Sequence, residues 1–90
     1  MSNGEPRTNP DDREANELLG ATVAALRQQA GLTRAELAQR AELREREVVA
    51  LEAGELEPTW GDLRRIARGL DVPLEKLLQL VEEREDSGAR

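Results

Sequence analysis

Apolar positions recur along this chain at helical spacing in five places, separated by residues that start and stop helices. The first stripe, Ala15, Leu19, Thr22, Val23, Leu26 and Ala30, follows one helical face, and Gly31 is placed to end it in a left-handed cap. Its start is either Asn9-Pro10-Asp11-Asp12, with a cap, a first-turn proline and two acids, or Asn16; the longer version is preferred. Thr33 and Glu36 form a capping box for a second helix over about 34–41, with Leu37, Ala38 and Ala41 inward. A third helix over about 44–53 offers Val48 and Leu51 to the core, with Val49 an optional third, and ends at Gly54. Thr59 and Asp62 repeat the capping-box spacing for a fourth, whose stripe is Leu63, Ile66, Ala67 and Leu70. Pro73 suits the first turn of a fifth, with Leu74, Leu77, Leu78 and Val81 on one face.

Composition agrees with this all-α reading. Twelve alanines and 14 leucines stand against five valines, one isoleucine and one aromatic residue, a balance that favours helices over strands. Ninety residues supply one small core. The expected organisation is a folded domain over 10–82 between disordered polar tails at 1–9 and 83–90. No apolar run approaches the roughly 20 residues a bilayer needs, and the N-terminus does not read as a signal sequence, so a soluble, cytoplasmic protein is expected.

The chemistry-bearing residues narrow the function. With no cysteine or histidine, one lysine, and serines only at Ser2 and Ser87, the chain lacks the usual nucleophiles, general bases and metal ligands. Neither an enzymatic role nor a cofactor is expected. The net charge of −6 argues against binding nucleic acid by bulk charge, but residues 1–15 and 82–90 carry −2 each, leaving residues 16–81 nearly balanced. A local basic face is compatible with that balance.

Two short helices three residues apart, with the small Ala38 at their crossing and Leu37, Leu43, Val48 and Leu51 to seal them, meet the geometric needs of a helix-turn-helix at 33–53. From about 18 to 80 the chain resembles the Cro and phage-repressor type, or XRE, helix-turn-helix family. The resemblance runs through Leu26-Arg27, Gly31-Leu32-Thr33, Glu36-Leu37-Ala38, Ala41, Val48, Leu51-Glu52, Gly54, Pro58, Leu63, Ile66-Ala67, Leu70, Val72, Leu74 and Leu77-Leu78.

That resemblance implies a compact five-helix, lambda-repressor-like domain that binds double-stranded DNA as a transcription regulator, commonly as a homodimer. It places Arg44, Glu45, Arg46 and Glu47 at the base-facing start of the recognition helix, with Val49 and Ala50 further along, and Arg34 where the family often has glutamine. Arg46 and Arg44 are the preferred base readers, because arginine donates two hydrogen bonds to guanine. Glu52 is assigned to the scaffold by its family position, which commonly pairs with an arginine. Arg27 is read as fold-supporting, Trp60 as a packing residue, and Arg64, Arg65 and Arg68 as a solvated face. Leu80 is the candidate apolar contact with a second subunit.

The chain also departs from the family, which usually has glycine in the turn at Glu42 and a serine cap at Arg44. Residues 42–57 carry six glutamates and two arginines, net −4. An alternative reading is therefore a protein-interaction module, antitoxin-like or a co-regulator, presenting an acidic third-helix surface to a basic partner.

Overall fold

Pro10 has no amide proton to lose at a helix start, and the first helix begins there: α1 spans Pro10–Gln29 in the computed structural model, which describes residues 10–88. It is followed by α2 (Arg34–Ala41), α3 (Glu45–Glu52), α4 (Trp60–Leu70) and α5 (Leu74–Gly88). Among the described residues there is no strand, and no helix is long and apolar enough to cross a membrane. The expected disorder of 1–9, and of 89 and 90, lies outside the described residues.

Local chemistry sets most of these boundaries. The Thr33 hydroxyl accepts from the Glu36 amide at 3.0 Å, and the Glu36 carboxylate accepts from the Thr33 amide at 2.8 Å. Thr59 and Asp62 make the same pair of bonds, both at 3.0 Å. At α3 only half of this device exists, since an arginine side chain has no acceptor: the Glu47 carboxylate takes the Arg44 amide at 2.8 Å.

The first four helices end alike, each in a six-to-one backbone bond paired with a five-to-two bond around a left-handed residue. The six-to-one bonds run from Leu32 to the Arg27 carbonyl, Leu43 to Ala38, Glu55 to Ala50 and Val72 to Ala67. Glycine fills the left-handed position at Gly31 and Gly54, but Glu42 (φ 59°) and Asp71 (φ 61°) fill the other two. A Cβ in that region costs about 1–2 kcal/mol, and Glu42 gains little in return from an exposed ion pair to Arg68 at 3.6 Å. Glu42→Gly is therefore expected to raise stability by about 0.5–1 kcal/mol in urea unfolding, glycine's extra chain entropy offsetting part of the gain.

The core collects one stripe from each helix. Val23, Leu37, Val48, Leu51, Ile66 and Leu77 are its largest fully buried side chains. The second helix packs on α3 and α4, while α1 packs on α3 and α5. Gly20 makes the α1–α3 approach possible, because a Cβ there would lie 2.3 Å from the Leu51 carbonyl oxygen.

Several sequence expectations are corrected. Ala15 and Ala30, at opposite ends of the first stripe, are exposed: Ala15 lies before the first buried position of α1, Leu19, and Ala30 lies one residue beyond its end. Of the two placements open to Val49, the outward one holds: it is 46% exposed, since α3 turns only Val48 and Leu51 to the core. Trp60 is 62% exposed and Leu78 37%: each stands off the buried line of its helix, Ile66–Ala67–Leu70 in α4 and Leu77 in α5. The fifth helix continues past position 82 to Gly88, so 83–88 is not a disordered tail. Arg84 donates to the Thr22 hydroxyl at 3.1 Å and Gln79 to the Glu83 carboxylate at 3.1 Å, which gives that extension partners.

Candidate nucleic-acid interface

With 100° between successive residues, burying Val48 and Leu51 fixes the outward face of α3. Arg46 lies nearly opposite the midpoint of those two, flanked by Ala50 and by exposed Val49 and Glu45. Arg44, the residue before the helix, is also exposed. The side chains of Arg44 and Arg46 make no hydrogen bond or ion pair among the described residues, so both guanidinium groups keep all their donors. Glu47 is half-buried on the flank, its carboxylate occupied by the Arg44 amide.

Behind this face lies a buried charge cluster. The Glu52 side chain is 5% exposed and receives Arg27 through two bonds, Nε at 2.6 Å and Nη2 at 3.2 Å. Nη1 of Arg27 reaches the Leu32 carbonyl at 2.8 Å. Arg34, at the start of α2, adds Nε at 2.9 Å to the same carboxylate while its side chain stays 51% exposed. The hydrogen bonding of Arg27 to Glu52 chiefly raises the Arg27 pKa, the carboxylate's charge adding to the effect, and together they outweigh the burial that lowers it. Arg27 is thus cationic at any working pH. These bonds tie the end of α1, the α1–α2 loop, the start of α2 and the end of α3 together. No buried side-chain nitrogen or oxygen among the described residues lacks a partner.

The cluster alters the charge balance inferred from the sequence. Glu52 is not part of an acidic surface: with the buried Arg27 and the half-exposed Arg34 it forms a group of net +1. The glutamates that remain exposed between 42 and 57 are Glu42, Glu45, Glu55 and Glu57.

The candidate residues do not form a single cluster. Arg44, Glu45, Arg46 and Glu47 share the N-terminal turn of α3, and Ala50 lies one turn on, half-buried. Arg34 is tied to the opposite, C-terminal end of α3 through Glu52. Leu80 is half-buried in a groove between α1 and α5, beside Ala25, Leu26 and Arg84. Two roles were missed in the sequence. The Arg34–Glu52 tie left no pattern, as its partners lie 18 residues apart. Gly20 did leave one, a glycine inside a periodic helical segment, which marks a close backbone approach.

Comparisons with known proteins agree with this architecture. Residues 18–80 match the family model described as a helix-turn-helix domain. The restriction-modification controller protein C.Esp1396I has the same fold, with a TM-score of 0.77 at 18% identity over 81% of this chain and 95% of that one. C.AhdI from Aeromonas hydrophila, also a restriction-modification controller, gives 0.69 at 23% identity over 71% and 97%. The clp gene regulator ClgR from C. glutamicum gives 0.72 at 25% identity over 77% and 90%. Comparison with curated proteins gives no match. The all-α, five-helix architecture and the Cro/phage-repressor resemblance read from the sequence are both supported, and this chain belongs to the helix-turn-helix domain family.

Proposed function

We propose that this protein is a sequence-specific, DNA-binding transcription regulator that lays α3 in the major groove and acts as a homodimer on a two-fold symmetric site. The observation that carries this reading is the placement of Arg46 opposite the α3 core contacts, with Arg44 beside it, both side chains without a hydrogen bond or ion pair among the described residues. Arginine in that setting recognises guanine through O6 and N7, a contact worth about 1–3 kcal/mol of discrimination. Val49 and Ala50 offer apolar contact to a thymine methyl, and Glu45 an acceptor for a cytosine amino group. Glu47 steadies the helix start rather than reading a base. Arg34, held at Nε and exposed beyond it, serves a backbone phosphate at the start of α2. The similarity to two restriction-modification controllers and a clp gene regulator supports the regulatory part of this reading. No catalytic step or cofactor belongs to this reading, and its expected location is the cytoplasm.

Arg46→Ala tests the assignment. Against a panel of single-base operator variants it is expected to cut discrimination at one base pair by roughly tenfold or more, leaving the others nearly unchanged. Arg34→Ala is expected to weaken binding to all variants alike and to make the salt dependence shallower. An Arg46→Ala protein with unaltered preferences contradicts the base-reading role.

The exposed acidic residues around α3 favour the second reading, a surface for a basic protein partner. It expects little DNA affinity at any salt concentration and stoichiometric co-purification of that partner at low salt.

A further inference from the structure

We infer that the groove between α1 and α5 binds a small monocarboxylate with an apolar body, its carboxylate held by Arg84 and its hydrocarbon part laid against Leu26 and Leu80. This goes beyond the DNA reading and does not rest on it. The groove has a volume of about 400 Å³, toward the lower end of the range for small-molecule sites. Ala25 and Leu26 of α1 and Leu80 of α5 form its apolar floor, and all three are half-buried rather than packed away. Leu80, offered by the sequence as a contact with a second subunit, stands three residues after the fully buried Leu77 and lines this groove. Covering these surfaces with hydrocarbon removes apolar area from water.

The polar wall sets the charge of the ligand. Thr22 sits within the apolar stripe of α1 and is 2% exposed, yet it brings a hydroxyl to the groove wall. That hydroxyl donates to the Leu18 carbonyl at 2.8 Å and accepts from Arg84 Nε at 3.1 Å. The bond that ties down the end of α5 therefore also orients the guanidinium. Its two Nη groups make no hydrogen bond or ion pair among the described residues. Such a pair of N–H groups suits the two oxygens of a carboxylate. Glu83 is the other charged lining residue, and its carboxylate accepts from the Gln79 side-chain amide at 3.1 Å rather than from Arg84. Gln29 and Ser87 add neutral polar groups to the wall. One cation beside one anion favours a singly charged ligand: a dianion such as a phosphate monoester meets Glu83 and a chain of net −6 with no second cation in the lining. A neutral apolar molecule leaves the oriented guanidinium unused.

Methyl NMR of the full chain at neutral pH, titrated separately with octanoate, 1-octanol and acetate, tests this. Octanoate is expected to shift the Ala25, Leu26 and Leu80 methyl signals saturably. At the same concentrations 1-octanol is expected to bind at least about tenfold more weakly and acetate to have no effect. Arg84→Gln is expected to bring octanoate down to the affinity of 1-octanol while leaving 1-octanol unchanged, whereas loss of a merely structural tie weakens both alike. Ala25→Leu, which fills the floor from a half-buried helical position, is expected to abolish binding of both. The inference is overturned by the absence of any saturable shift, by equal affinity for octanoate and 1-octanol, by a parallel loss of both in Arg84→Gln, or by binding that persists in Ala25→Leu. It is also overturned if dilution of the free protein moves the same methyl signals, which makes a second copy the occupant.

Discussion

Glu52→Ala is expected to cost about 3–5 kcal/mol, the largest effect of any single substitution considered. The loss comes less from the attraction removed than from what remains, an Arg27 guanidinium whose side chain is only 8% exposed and which has lost its carboxylate. Arg27 cannot escape by releasing its proton, since Glu52 merely raises a pKa already far above the working range. For a domain of this size such a loss takes most of the stability, which is of order 5–10 kcal/mol. Urea unfolding followed by circular dichroism measures it. Arg34→Ala, removing the half-exposed partner of the same carboxylate, is expected to cost under about 1 kcal/mol. Replacing both buried partners, Arg27→Met with Glu52→Leu, is expected to be milder than Glu52→Ala alone, because no uncompensated charge is left inside. Equal costs for Glu52→Ala and Arg34→Ala contradict the assignment of Glu52 to the interior.

Gly20→Ala is the second large effect, and its sign is informative. Helix propensity alone expects alanine to stabilise the middle of α1 by about 1 kcal/mol. The structure expects the reverse, because the new Cβ meets the Leu51 carbonyl oxygen at 2.3 Å and the Glu52 carbonyl oxygen at 2.7 Å. These are backbone atoms at the end of α3, and they cannot swing aside as a side-chain tip does. Relief requires α1 and α3 to separate, which also strains the Arg27–Glu52 bonds that join them. Overpacking of this kind costs about 3 kcal/mol at its upper end, leaving a net loss of about 2 kcal/mol after the propensity gain. In a 90-residue domain that lowers Tm by roughly 10 °C. A Tm unchanged or raised contradicts the close crossing.

What the sequence made legible was mostly local. Thr33 with Glu36, Thr59 with Asp62, and the two helix-ending glycines act within a few residues of themselves, so their spacing in the chain carries their geometry. The buried stripes of α2 and α4 were readable for the same reason, helical periodicity being a local property. The scaffold role of Glu52 came from family likeness, and its partner proved to be Arg27.

What escaped depended on distant parts of the chain. Trp60 read as a packing residue because the family carries a large apolar residue at that place, yet it is 62% exposed and stands off the buried line of α4. Val49 was open in the sequence between the core and the base-facing side, and the packing of Val48 and Leu51 leaves it 46% exposed. The reach of α5 beyond position 82 rests on Thr22, 62 residues away from Arg84. In the candidate interface, the identities at 44–47 were readable, whereas the net −4 of the segment misled: the fold takes Glu52 inside and assigns Glu47 to an amide. Counting charges along a sequence cannot separate a glutamate that faces solvent from one that neutralises an interior arginine.

The central claim, that the exposed start of α3 reads DNA bases, is tested most directly by selection from a random-sequence duplex pool. The purified protein is mixed with the pool, washed at low and near-physiological salt, and the retained fragments are sequenced. The account expects enrichment of an inverted repeat with half-sites about one helical turn apart, with retention falling steeply as salt rises. Negligible retention even at low salt, with no enriched sequence, would contradict it and leave the acidic surroundings of α3 as a surface for a basic protein partner.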